Sequence, residues 1–178
     1  KPKEHWDKRA RGMGGQIGSC GEENLLCFPG DPYNTENILI HEFAHTIHDY
    51  GLGKLIPDFN KRLEAAYDKA IKSGLWKGAY AAENVHEYWA EGVQDWFDNN
   101  RENDDVHNSI NTRAELLEYD PALAALCKEV FGDGTFRGTQ TLIRYDFVKN
   151  LDNLVRYLGE QGVKLGPEGP LPDCPYMD

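Results

Sequence analysis

Apolar positions recur at helical spacing along most of this chain, and residues 1–34 stand apart from that pattern. From Asn34 or Thr35, either of which can cap a helix, Ile38, Leu39, His41, Glu42, Ala44, His45 and Ile47 follow a helical path that Gly51 and Gly53 would stop. Pro57-Asp58 opens a second helix through Phe59, Leu63, Ala66, Tyr67 and Ala70, closed by Ser73-Gly74. A third is predicted from about Glu83 to Phe97, ending in a polar loop from Asn99 to Asn108. Asp120-Pro121 places a capping residue before a proline at the first helical position, leading Leu123, Leu126, Cys127, Val130 and Phe131 to Gly132. Thr139–Tyr145 alternates weakly, as a strand would, and Asp146–Gly159 reads as a last amphipathic helix.

The front segment is rich in glycine and turn formers, and its short apolar pieces around Met13–Ile17 and Asn24–Phe28 are expected to be strands. The sum is an α+β domain, mostly helical, with a small N-terminal sheet. Repeats and low-complexity linkers are absent, and 178 residues suffice for one domain with a sizeable core.

Charge narrows the partners. A net charge of -11 would repel a phosphate backbone, which argues against nucleic acid. No apolar run approaches a membrane span. Residues 1–12 read as a flexible basic arm, with Lys1, Lys3, Lys8, Arg9 and Arg11; Lys8-Arg9-Ala10-Arg11 would suit a processing site or a disordered end. The even set Cys20, Cys27, Cys127 and Cys174, without a CxxC, favours disulfides over metal. The simplest pairing is Cys20–Cys27 and Cys127–Cys174, the second anchoring a proline-rich tail over 166–178. Disulfides imply an oxidising compartment and hence secretion. A chain that begins at lysine, without an apolar leader, is expected to be a processed mature form or a trimmed one.

The chemistry concentrates in His41-Glu42-Phe43-Ala44-His45. On a helix, histidines at i and i+4 project about 40° apart from one face and can grip a zinc ion, while the glutamate between them handles a water's protons. Ordinary groove histidines are the alternative. The apolar flanks Ile38, Leu39, Phe43 and Ile47 weaken it, because polar groups in an apolar helix need partners. A third ligand is expected from a later helix. Glu87 and Glu91 share a face there, among Val85, Tyr88, Trp89, Val93 and Trp96, and two such carboxylates would repel unless a cation or donor lay between them. Zinc on Glu87 and a histidine N–H on Glu91 would resolve this.

HExxH followed by ExxxE on a second helix resembles the gluzincin zinc peptidases, and within them the anthrax lethal factor and Pro-Pro endopeptidase-like group. The resemblance rests on His41 to His45 with Asp49-Tyr50 beyond, then Tyr80, then Glu87-Tyr88-Trp89-Ala90-Glu91, and it covers roughly residues 35–100. Ala44 stands where that pattern often has glycine, and His48 where an aspartate is commoner; on helical spacing His48 lies on the zinc-facing side, as a neighbour of the ligands or, the favoured reading, an ordinary groove histidine. The metzincin pattern is absent, since position 51 is glycine. The resemblance implies a zincin-like fold with one catalytic Zn2+ on His41, His45 and Glu87. Glu42 would be general base, Tyr80 would steady the oxyanion with His48 or His86 as further donors, and Glu91 and His48 would stand behind the ligands. A peptide substrate would lie as an added strand along a sheet edge, which Gly14–Ser19 could supply, with Tyr33 and Trp6 as aromatic candidates for the cleft.

The expected activity is that of a secreted, monomeric zinc metalloendopeptidase acting on protein or peptide. A zinc amidase of a non-protein or cell-wall amide, and a non-catalytic protein with a structural zinc, are the rivals. The oxygen-rich loop Asn99–Asp105 offers calcium ligands without EF-hand spacing, so a solvated loop is expected there.

Overall fold

A computed structural model describes residues 11–134 and 156–163. It is mostly helical, with one small antiparallel sheet, as an α+β chain should be. Strand β1 (Gly12–Met13) pairs with β2 (Ser19–Cys20), Gly12 opposite Cys20. Residues 14–18 are the connection between the strands, so the sheet is shorter than the apolar piece Met13–Ile17 implies.

The second expected strand is instead a helical turn, α1 (Glu22–Leu25). The reason is Asn24, which is fully buried. Its amide nitrogen donates to Asp31 Oδ2 (2.9 Å) and to the carbonyls of Tyr33 (2.9 Å) and Glu36 (3.0 Å), and its oxygen accepts from the Ile38 N–H at 3.0 Å. One side chain thus holds 31–36 out of a helix. Helix α2 (Ile38–Thr46) accordingly starts at Asn37, whose side chain caps the Ile40 N–H, and not at Asn34 or Thr35.

Nor does the helix stop at Gly51. It widens into a π-helical turn (Ile47–Leu52) and continues as α3 (Gly53–Leu55). Ile56 then turns extended, at φ -110 and ψ 106, the conformation that the following Pro57 imposes on its predecessor. Helix α4 (Phe59–Lys72) follows, then a 3-10 turn (Tyr80–Ala82) and α5 (Val85–Trp96), capped by Asn84.

Helix α6 (Arg113–Tyr119) has no counterpart among the sequence expectations, although Thr112 and Glu115 form a complete capping box. Helix α7 (Pro121–Phe131) begins at Asp120 as its Asp-Pro signature predicts. The strand expected over Thr139–Tyr145, the basic arm over 1–10 and the tail over 166–178 lie outside the described residues. Of the expected last helix, only 156–159 are described, and residues 156–160 are helical.

One hydrophobic core runs from α2 to Tyr157 and Leu158, centred on Trp76, Tyr88, Trp89 and Trp96. Helices α2 and α5 pack closely, and Trp89 Nε1 donates to the Ala44 carbonyl at 3.0 Å. On its other side α5 meets α7 at Gly92, where even a Cβ would lie 2.4 Å from Leu123.

No disulfide forms among the described residues. The Cys20–Cys27 pairing is therefore a correction: Cys20 is committed to the hairpin, while Cys27 follows a helical turn in a left-handed conformation, φ 56. The thiol of Cys127 is buried in the core and donates to the Gly92 carbonyl at 3.6 Å. Cys174 lies outside the described residues. The short-loop disulfide on which the expectation of an oxidising compartment leaned is not formed.

Candidate metal centre

Two helices bring three ligand atoms to one point. Helix α2 presents His41 and His45 one turn apart, and the first turn of α5 presents Glu87. Glu87 Oε2 lies 3.0 Å from His41 Nε2 and 3.4 Å from His45 Nε2, and the two imidazole nitrogens are 3.1 Å apart. Zinc–donor bonds of about 2.0–2.2 Å in a tetrahedron set donor–donor edges of about 3.3 Å. The triangle therefore fits one zinc ion, with a fourth position left for a water or a carbonyl.

His41 is oriented from behind. Its Nδ1 lies 2.7 Å from Gln94 Oε1 and 3.3 Å from Glu91 Oε1, both acceptors, so Nδ1 carries a proton and Nε2 is the nitrogen turned to the triangle. Gln94 is fully buried, and its amide nitrogen donates to Glu36 Oε2 (3.2 Å) and to the Asn99 carbonyl (3.4 Å), which fixes its oxygen toward His41. Sequence reasoning named Glu91 for this role and missed Gln94, although Gln94 lies seven residues after Glu87 on the same face of α5.

Glu91 is itself held. Its Oε2 accepts from Asn100 Nδ2 at 3.0 Å and lies 3.4 Å from His107 Nε2. The opposite nitrogen of His107 is 2.8 Å from Asp104 Oδ1. In the loop expected to be solvated, Glu102 to Asp105 are exposed, while Asn99 and Asn100 at its start and His107 just after it are buried. Asn100 also donates to Asp95 Oδ1 at 2.9 Å, and Asp104 Oδ2 lies 3.3 Å from the Arg101 guanidinium. No spacing rule singles out His107, because it sits on a loop.

Charge at the centre follows from these neighbours. Burial disfavours a charged His41, yet its hydrogen bonds to Glu87 and Glu91 outweigh this and hold its pKa well above the ordinary value. Burial would raise the Glu87 carboxyl, but hydrogen bonds from His41 and His45 win and hold it well below the usual carboxylate range. The pocket is therefore arranged to stabilise positive charge where the imidazoles meet. Burial raises the pKa of Glu42 despite the nearby histidines. The backbone at Gly14 packs against the Glu42 side chain. That contact needs glycine: a Cβ at Gly12 would lie 2.6 Å from Glu42 Cγ, and one at Gly14 2.6 Å from His45 Cβ.

Tyr80 stacks beside His41, ring centroids 6.2 Å apart, and feels the charge of Glu87. Burial first, then the charge of Glu87, pushes its pKa up, so it remains a donor. Its own N–H is pinned to the Val106 carbonyl at 2.7 Å. A cleft of about 260 Å³ opens here, lined by Tyr33, His41, Glu42, Tyr80, Arg101 and His107 among others. A larger and more open depression, about 560 Å³ beside Asp68 and Lys72 on α4, brings together neither metal-ligating imidazoles nor aromatic rings.

A scan against protein-family models, a search of curated proteins and a search of solved structures each find no match to this chain. Two sequence expectations take other places in the molecule. His48 turns away from the triangle, its Nε2 to Asn60 Oδ1 at 3.0 Å, and His86 lies beside Asp49 at 3.1 Å. Trp6 is outside the described residues.

Proposed function

We propose that this chain is a zinc metalloendopeptidase of gluzincin type, with a zincin-like fold akin to the lethal factor and Pro-Pro endopeptidase group. The observation that carries this reading is the triangle of His41, His45 and Glu87, at 3.0–3.4 Å edges, with a carboxylate and a phenol on the same cleft. A structural site would have no use for Glu42 or Tyr80 beside it.

His41, His45 and Glu87 would hold a zinc ion, which would supply Lewis acidity toward a water and the scissile carbonyl. Glu42, raised by burial and packed against the Gly14 backbone, takes a proton from the attacking water and delivers it to the leaving amine. Tyr80 donates its phenolic hydrogen to the oxygen on which charge develops. Glu91 and Gln94 keep His41 in the one tautomer that offers Nε2 to the ion. An extended peptide pairs along β1, the strand whose Gly12 rims the cleft, and not along 14–18, which form the connection.

The test is cleavage of a diverse peptide library with and without a chelator. Chelator-sensitive peptide products are expected. A protein that binds zinc yet cleaves no peptide, while hydrolysing a non-peptide amide, would overturn the peptidase reading in favour of an amidase.

A further inference from the structure

A second group of metal-binding side chains lies where α2 widens into its π-helical turn, a feature that recurs at functional sites. His48 is only 4% exposed there. Its Nε2 lies 3.0 Å from Asn60 Oδ1, and the Asn60 nitrogen donates to the Gly53 carbonyl at 3.5 Å, so His48 is the donor through Nε2. Nδ1 is then left with a lone pair, fully enclosed and without a hydrogen-bond partner. What it faces is Asp49 Oδ1, 3.5 Å away, which is in turn 3.1 Å from His86 Nδ1. The two rings are 5.1 Å apart, and the three donor atoms all lie within 4.8 Å of one another.

A buried lone pair set against a carboxylate oxygen is repulsive unless something positive lies between them. We propose that His48, Asp49 and His86 form a second metal site, taking one divalent transition ion such as zinc through two imidazole nitrogens and one carboxylate oxygen. Two imidazoles in three donors favour zinc, cobalt, nickel or copper over calcium or magnesium. Burial lowers the pKa of His48, which keeps that ring neutral as a ligand must be. Asp49 and His86 are exposed enough, at 39% and 49%, to close on an ion from the solvent side while His48 stays fixed. No donor is shared with His41, His45 and Glu87. The ion would join the turn after His45 to the residue before Glu87, bracing the two segments that carry the first triangle.

Zinc stoichiometry decides it. Chelator-stripped protein is dialysed against saturating zinc and the bound metal counted by mass spectrometry, alongside thermal midpoints with and without zinc. Two ions per chain are expected in the unaltered protein, and one in His86→Ala or Asp49→Asn, each with a smaller zinc-induced rise in midpoint. Glu87→Ala should keep the second ion alone. The proposal is overturned if His86→Ala still holds two ions, or if the unaltered protein holds a single ion that Glu87→Ala loses and His86→Ala retains. A single ion lost in His86→Ala and kept in Glu87→Ala would uphold this site and sink the catalytic assignment instead.

Discussion

Two polar centres touch α5, one buried at Asp120 and one partly buried at His41, His45 and Glu87, and they are built in opposite ways. At Asp120 every contact runs from donor to acceptor: Oδ2 receives Trp76 Nε1 at 3.0 Å and the Tyr88 hydroxyl at 2.7 Å, and Oδ1 receives the Leu123 N–H at 3.2 Å. Nothing is left over, and the carboxylate ties three segments of the core together. At His41, His45 and Glu87 three potential ligand atoms point at one another, with further acceptors behind them. In the proposed function a cation completes that centre. Burial alone does not separate a structural polar group from a functional one; the balance of donors and acceptors does.

The comparison can be broken by substitutions that act on one centre only. The largest effect is expected for Glu42→Gln, which removes the proton acceptor but no ligand: peptide turnover should fall by about a thousandfold, with zinc content and thermal midpoint unchanged. A variant that still turns over would remove Glu42 from the mechanism. Asp120→Ala should do the reverse. It orphans two buried donors and a helix cap, costing about 3–5 kcal/mol of folding stability by denaturant titration, while zinc affinity of the folded protein stays as it was. Equal loss of zinc affinity would mean the two centres are coupled through α5. Gln94→Met keeps the volume and removes the acceptor on His41 Nδ1, so zinc affinity should drop roughly tenfold by competition with a chromogenic chelator.

The smallest effect concerns pH. Burial slightly opposes charge on Asp104, but the Val106 and His107 amides and the His107 ring hold its carboxyl down at about 2. A carboxyl depressed in the folded state adds stability above its unfolded value, and that contribution fades as pH falls toward the folded one. Asp104→Asn should therefore flatten the decline in thermal midpoint on acidification from pH 5 to pH 3, with little change in slope above. An unaltered decline would show that the loop is held by other groups.

Where side chains follow a period, the sequence was readable. His41, Glu42 and His45 on one helix, Glu87 and Glu91 on another, and the Asp-Pro start of α7 all rest on local spacing, and the structure places them on those helices. What escaped is what one long-range contact decides. Asn24 looks like part of a strand until its four bonds to 31–38 are seen, and those bonds shift the start of α2 to Asn37. His107 comes to Glu91 from a loop that has no periodicity to read. His48 was placed with the ligands on helical spacing, but its hydrogen bond to Asn60 on α4 draws it elsewhere. The Thr112/Glu115 box was visible in the sequence and marks a helix that the apolar pattern passed over.

The wide turn at Ile47–Leu52 closes with hydrogen bonds to the fifth residue along instead of the fourth, so it holds one residue more than a regular turn. In effect the helix carries an insertion without a loop. Removing a single residue from this turn would let it close as a regular one, and Gly53 and Leu55 beyond it would keep their facing. His41, Glu42 and His45 lie before that point and would keep theirs as well. The turn is a place where the chain can lose a residue while both ends of the helix stay in phase.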